Sequence, residues 1–167
     1  MMDLTDRKFP KNKPEELLQW IRRDKCELEY YIGKKENMIR QGNLDEDLHA
    51  ELRWNIDQDA CAVAAWYGEL GGYLDKQFEY RLQGVRHGGA CKDCFDAARK
   101  ALLEMYKQKQ INDEKALWLG LDLYHAVLDA KKEWKGKIRM AEVGLEDILP
   151  AEVKIPEEIR NQCKPQQ

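Results

Sequence analysis

Apolar residues recur along most of the chain at three- and four-residue steps, the period that gathers side chains on one face of an α-helix. The first such stripe is Leu17, Ile21, Leu28, Ile32, Lys35 and Ile39, joined by Leu18, Tyr31 and Met38. Pro14 suits the opening position of this helix because its φ is already helical and it has no N–H to satisfy. Glu15 and Glu16 then complement the positive end of the helix dipole. Gly42 is the expected stop, and Asn43 followed by Glu46 reads as a capping box for the next helix.

The second stripe runs through Leu48, Leu52, Ile56, Val63, Tyr67, Leu70 and Leu74 towards Phe78 and Leu82. A helix of that length would extend about 60 Å at the usual ~1.5 Å per residue, too long to stay straight in a domain this small. It is therefore expected to bend, and Gly71-Gly72 is the weak point. Residues 84 to 91, GVRHGGAC, read as a loop on their three glycines. A third helix is predicted from Lys92 to Gln110, facing inward through Phe95, Ala98, Leu102, Met105 and Tyr106. Asn112 or Asp113 caps a fourth, whose apolar residues fall on two faces, Leu117/Leu121/Tyr124/Leu128 and Leu119/Leu123/Val127. Apolar on two sides, this fourth helix is expected at the centre.

These stripes predict an all-α, single-domain antiparallel bundle of four main helices, with a long, bent second helix and a central apolar fourth. Residues 1–13 read as a flexible basic lead-in, 14–149 as the bundle and 150–167 as a proline-containing tail. A short turn is expected at Leu145 to Leu149 and at most one more helical turn near Glu157.

Composition narrows the setting. The chain has 167 residues, with 28 Lys and Arg against 31 Asp and Glu, a formal charge of −3. A balance this even gives no long-range attraction to phosphates. The longest stretch without a charged residue, Ala60 to Gly68, is far below the ~20 residues that span a bilayer, and MMDLTDRKFP has no apolar signal segment. A cytoplasmic protein with no membrane association is expected. The five cysteines, Cys26, Cys61, Cys91, Cys94 and Cys163, are an odd number in a chain large enough to fold without staples, so reduced thiols are expected.

Four groups of residues carry candidate chemistry. His87, Cys91 and Cys94 have the spacing of part of a zinc site, with Cys26, Cys61 or Cys163 available as a fourth ligand. The same C-x2-C pair at a helix start also suits a redox dithiol. No other cofactor is called for. Glu46-x2-His49 and Asp122-x2-His125 resemble in part the Glu-x-x-His ligands of di-metal four-helix bundles, with Glu29 and Glu104 among the carboxylates of the other helices. Asp122 and His125, set among leucines, are expected to be buried and paired. Small residues every four positions, Ala60, Ala64, Gly68 and Gly72, form a ridge that lets another helix approach closely, either the fourth helix or a partner. With Trp54 and Trp66 this ridge is the candidate interface. Finally Lys131, Lys132, Lys135, Lys137 and Arg139 around Trp134 offer contacts to a nucleic-acid backbone, a role the overall charge argues against.

No G-x-S-x-G, Walker-type or H-E-x-x-H motif is present. The leading expectation is a helical protein–protein interaction module, an adaptor, inhibitor or regulator, binding another protein or a second copy of itself. The alternatives are a metal-dependent helical enzyme using Asp122, His125 and bundle carboxylates, or a nucleic-acid-binding accessory protein.

Overall fold

The computed structural model describes residues 14–43, 45–134, with Trp134 by its backbone alone, and 143–163. The chain is all-α. Its described residues form seven helices and no strand: α1 (Pro14–Arg40), α2 (Glu46–Gly71), α3 (Leu74–His87), α4 (Lys92–Lys107), α5 (Asp113–Trp134), α6 (Leu145–Ile148) and α7 (Glu157–Gln162). The expected lead-in, 1–13, lies outside the described residues.

Local chemistry sets most of the boundaries. Pro14 opens α1, and Gly42, at φ +71°, closes it while Asn43 N donates back to Met38 O at 2.9 Å. This is the usual way a left-handed glycine satisfies the last carbonyls of a helix. The cap of α2 is Asp45 rather than Asn43: its side chain accepts from Asp47 N and Leu48 N, and Asn43 instead accepts from Asp45 N. Asn112 does cap α5, accepting from Lys115 N at 2.8 Å.

The long second helix is two helices. It breaks at Gly71-Gly72, where Gly72 has φ +95° and Tyr73 follows in the left-handed region at φ +44°. The side chain of Gln77 donates to Gly72 O and so ties α3 to the break. α3 then continues to His87, so residues 84–87, expected in a loop, are helical. Gly84 is there for closeness rather than looseness: a β-carbon on it would lie 2.7 Å from Cys94 Sγ and 3.1 Å from the Ala60 β-carbon. The true loop is only Gly88 to Cys91, turned by Gly89 at φ +90° and Ala90 at φ +56°.

Two hydrophobic cores result. One joins Leu17, Ile21 and Leu28 of α1 to Ile56, Val63, Ala64 and Trp66 of α2, with Tyr80 closing it from α3. The other gathers Phe78 and Val85 of α3, Phe95 and Leu102 of α4, Leu123 and Val127 of α5, and Ile148 of α6. Contacts pair the start of α1 with the end of α2, as in Trp20 against Trp66, and the start of α3 with the end of α2, as in Gln77 against Gly68. Both helix pairs therefore run antiparallel.

The central position belongs to α3, which packs against α2, α4 and α5, and not to the apolar helix now numbered α5, which packs on α3, α4 and α6. The proline-containing segment after Pro150 packs on the bundle as far as residue 163: Val153 and Cys163 are buried in the second core, and Arg160 pairs with Glu146 at 3.4 Å. Among the described residues no helix is long and apolar enough to cross a membrane.

Candidate functional site: a cluster of thiols and a carboxylate

Where α2, α3 and α4 meet, three cysteines and an aspartate converge. Asp57 and Cys61 lie one turn apart on α2, and Cys91 and Cys94 stand at the cap and third residue of α4. The ligand atoms of Asp57, Cys91 and Cys94 all lie within 4.8 Å of one another. Cys94 Sγ is 3.5 Å from Cys61 Sγ and 3.8 Å from Asp57 Oδ1, and Arg81 Nη1 donates to Cys61 Sγ at 2.7 Å. Gly84 and Gly88 make room for this, since a β-carbon on Gly88 would run into the Asp57 carboxylate. Cys94 is buried, whereas Cys91 reaches the surface in part.

The cluster shares its protons unevenly. Burial, reinforced by Cys91 and Cys61, pushes the Asp57 carboxyl up to about 9. Cys94 is held well above the usual thiol range because its S–H serves the sulfurs of Cys61 and Cys91 and is buried. Cys91 is drawn down to about 6, first by the Cys94 side chain and then by the backbone N–H groups of Cys94 and Asp93 at the start of α4. Cys61 is lowered by Cys94 and by the Arg81 charge. A lowered thiol at a helix N-terminus beside a positive charge is a good nucleophile and a good soft-metal ligand.

His87 does not join this group. Its ring lies the other way, where Lys35 Nζ donates to Nδ1 at 2.6 Å and to Glu133 Oε2 at 2.6 Å. Lys35 is fully buried, so this contact ties α1 to the ends of α3 and α5. Burial, then the Lys35 and Arg86 charges, holds the His87 imidazole down to about 3, and it remains neutral. Of the metal candidates read from the sequence, Cys91 and Cys94 are brought together and His87 is not. Asp57 was missed, although Asp57-x3-Cys61 places both on one face of a helix.

Comparison with known proteins gives no match to a family model, a curated protein or a solved structure.

The remaining sequence candidates disperse. Asp122 and His125, expected in the core, are exposed on the outer side of α5, and neither belongs to a group able to share a metal ion among the described residues. The second such group is Asp24, Glu27 and Asp59, between α1 and α2, where Trp66 Nε1 donates to Asp24 at 2.9 Å. His49 serves the α1–α2 turn, its Nε2 lying 2.8 Å from Asn43 O. Within the candidate interface, Ala60, Ala64 and Trp66 are buried at 0%, 1% and 1% exposure, so the first half of the ridge is interior. Its neighbour there is α3, which meets Ala60 at Gly84 and Gly68 at Gln77. Gly68 and Gly72 are half-buried, and Trp54, at 49%, is the surface member of the set. Lys135, Lys137 and Arg139 of the basic run lie outside the described residues.

Proposed function

We propose that this chain is a helical protein–protein interaction module, an adaptor, inhibitor or regulator that acts by binding or occluding its partner, and that the outer face of α5 is its contact surface. The observation that supports this is Trp118, 55% exposed on the outer side of a long, well-packed helix. Indole rings left in solvent are costly and are the side chains that most often dominate binding at interfaces. Asp122, His125 and Asp129 share this strip and give it the polar rim that surrounds such anchors. The inner side of α5, through Leu121, Leu123, Tyr124 and Val127, holds the strip rigid.

The partner is another protein or a second copy of the chain. Sedimentation velocity across a concentration series, followed by co-purification and re-measurement with each purified partner, tests this with wild type and Trp118→Ala. The expected result is a complex weakened about 30-fold or more by the substitution, the effect of a binding hot spot, with helix content unchanged. A complex of equal affinity in both proteins, or no complex for either, would overturn the proposal.

A further inference from the structure

We propose that Asp57, Cys91 and Cys94, with Cys61 completing the tetrahedron, bind one zinc ion that pins α2 to α4. The spacing is that of a metal site. Ligand atoms about 2.3 Å from a common tetrahedral centre lie roughly 3.8 Å apart, whereas a disulfide needs about 2.05 Å. Asp57, Cys91 and Cys94 fall within a single 4.8 Å set, Cys94 being 3.8 Å from Asp57, whereas Cys61 touches that set through Cys94 alone, at 3.5 Å, and joins as fourth ligand by turning its side chain inward.

Sequence and fold supply the donors in the way a structural site requires. Two come from one face of a helix at i and i+4, and two from a C-x2-C at the start of another helix. Three sulfurs and one oxygen select a soft, tetrahedral ion such as zinc over calcium or magnesium. The charges come close to balance with the ion bound. Three thiolates and a carboxylate carry four negative charges, and Arg81, on Cys61 at 2.7 Å, offsets one of them. A divalent cation offsets two more, leaving a small residual charge in a partly buried site. The thiols that still hold protons and the Asp57 carboxyl release them to solvent on ligation, and Cys91, only half-buried, gives the ion its way in.

The site has a mechanical consequence. Asp57 and Cys61 belong to the helix that builds the first core, while Cys91 and Cys94 belong to the helix that builds the second. Gly84, against Cys94 and Ala60, lets the three helices close to bonding distance around the ion.

The test uses the full chain, purified without chelator or metal-affinity resin. Elemental analysis is expected to find one zinc per chain in wild type and in the Cys26→Ser, Cys163→Ser and His87→Ala variants, and about one tenth of that or less in Cys91→Ser. Wild type reconstituted with cobalt(II) is expected to show tetrahedral visible bands and a sulfur-to-metal charge-transfer band that falls by about a third in Cys61→Ser. Removing the ion is expected to lower Tm by about 5 °C or more, and adding zinc back to restore it. The cobalt and chelation measurements use folded wild type, so they decide even where Cys91→Ser fails to fold. A metal-free wild type that takes up neither zinc nor cobalt, or an intact mass two hydrogens light from a Cys91–Cys94 disulfide, overturns the proposal. Zinc lost on changing His87 overturns it as well, and a charge-transfer band unchanged in Cys61→Ser overturns the four-ligand set.

Discussion

The two cores are built from different materials. α1 and α2 bury Asp24, Lys35, Asn55 and Asp59 alongside Leu28, Ile56 and Trp66, Lys35 on the side that meets α3 and α5. Every buried charged or amide side chain among the described residues lies on these two helices. The core of α3 to α6 is filled instead by aliphatic, aromatic and thiol groups. The second core is stabilised chiefly by removing apolar surface from water, at about 25 cal/mol per Å², with little demand on direction. The first depends on each charge finding its partner, such as Trp66 Nε1 on Asp24 and Glu133 on Lys35. Buried polar pairs of this kind add little net stability, but they cost heavily when one member is lost. The α1–α2 pair is therefore the more exacting half and the less forgiving of substitution.

Five variants test that contrast, beginning with the largest effect. Lys35→Ala is expected to lower stability by about 3–5 kcal/mol in urea unfolding, because Glu133 and His87 lose a fully buried cation. Lys35→Met with Glu133→Leu is expected to recover most of that loss, since the cost comes from the orphaned partner. In the apolar core, Leu123→Ala is expected to cost about 3 kcal/mol through the cavity it leaves, by the same amount at pH 5 and pH 7. A double variant Lys35→Met/Glu133→Leu no more stable than Lys35→Ala would remove the distinction between the cores.

Smaller effects sharpen it. Trp66→Phe keeps the ring packed on Trp20 and removes the N–H that serves Asp24, and it is expected to cost about 1–2 kcal/mol. His87 gives a pH signature where the cores meet. Its folded pKa of about 3 lies below the ordinary 6.5, so above pH 6.5 it is neutral folded or unfolded and contributes no slope. As pH falls from 6.5 towards 3, only the unfolded chain takes the proton, and stability drops by up to about 1 kcal/mol per pH unit. The groups facing it are Lys35 from α1 and Arg86 from α3, with Glu133 of α5 on the far side of Lys35. Unfolding free energies of wild type and His87→Gln measured across pH 4 to 7 are expected to diverge towards acid. Parallel curves would show that the imidazole is not held neutral.

Much of this architecture is legible in the sequence because it is set locally. Pro14, Gly42, Gly71-Gly72 and Asn112 each act through their own backbone or a hydrogen bond within a few residues, and each marks an observed boundary. The stripe even places Lys35 on the inward face of α1, where the period holds although the residue is charged. Depth along α5 is a different matter. Residues 118, 122, 125 and 129 form a strip at helical spacing, as its apolar faces do, and only the packing of α3, α4 and α6 decides which strip meets water. The thiol site is half legible. The C-x2-C pair shows in the sequence, but Asp57 and Arg81 join it only once α2 and α3 fold back on each other at the break. His87 was drawn towards the cysteines by its nearness in sequence, and the extra turn of α3 carries it to Lys35 instead.

That break also divides the chain in a way that concerns its handling as a polypeptide. Gly72 and Tyr73 sit between the helix that completes one interior and the helix that opens the other, and apart from Tyr80 the residues of the first interior all precede it. A cut or an inserted linker at Gly71-Gly72 leaves each set of apolar partners on its own piece but for Tyr80 and Cys61, which belong to the α2–α3 seam by which the pieces recognise each other. The molecule is thus already divided where a split reporter or a circular permutant would be opened.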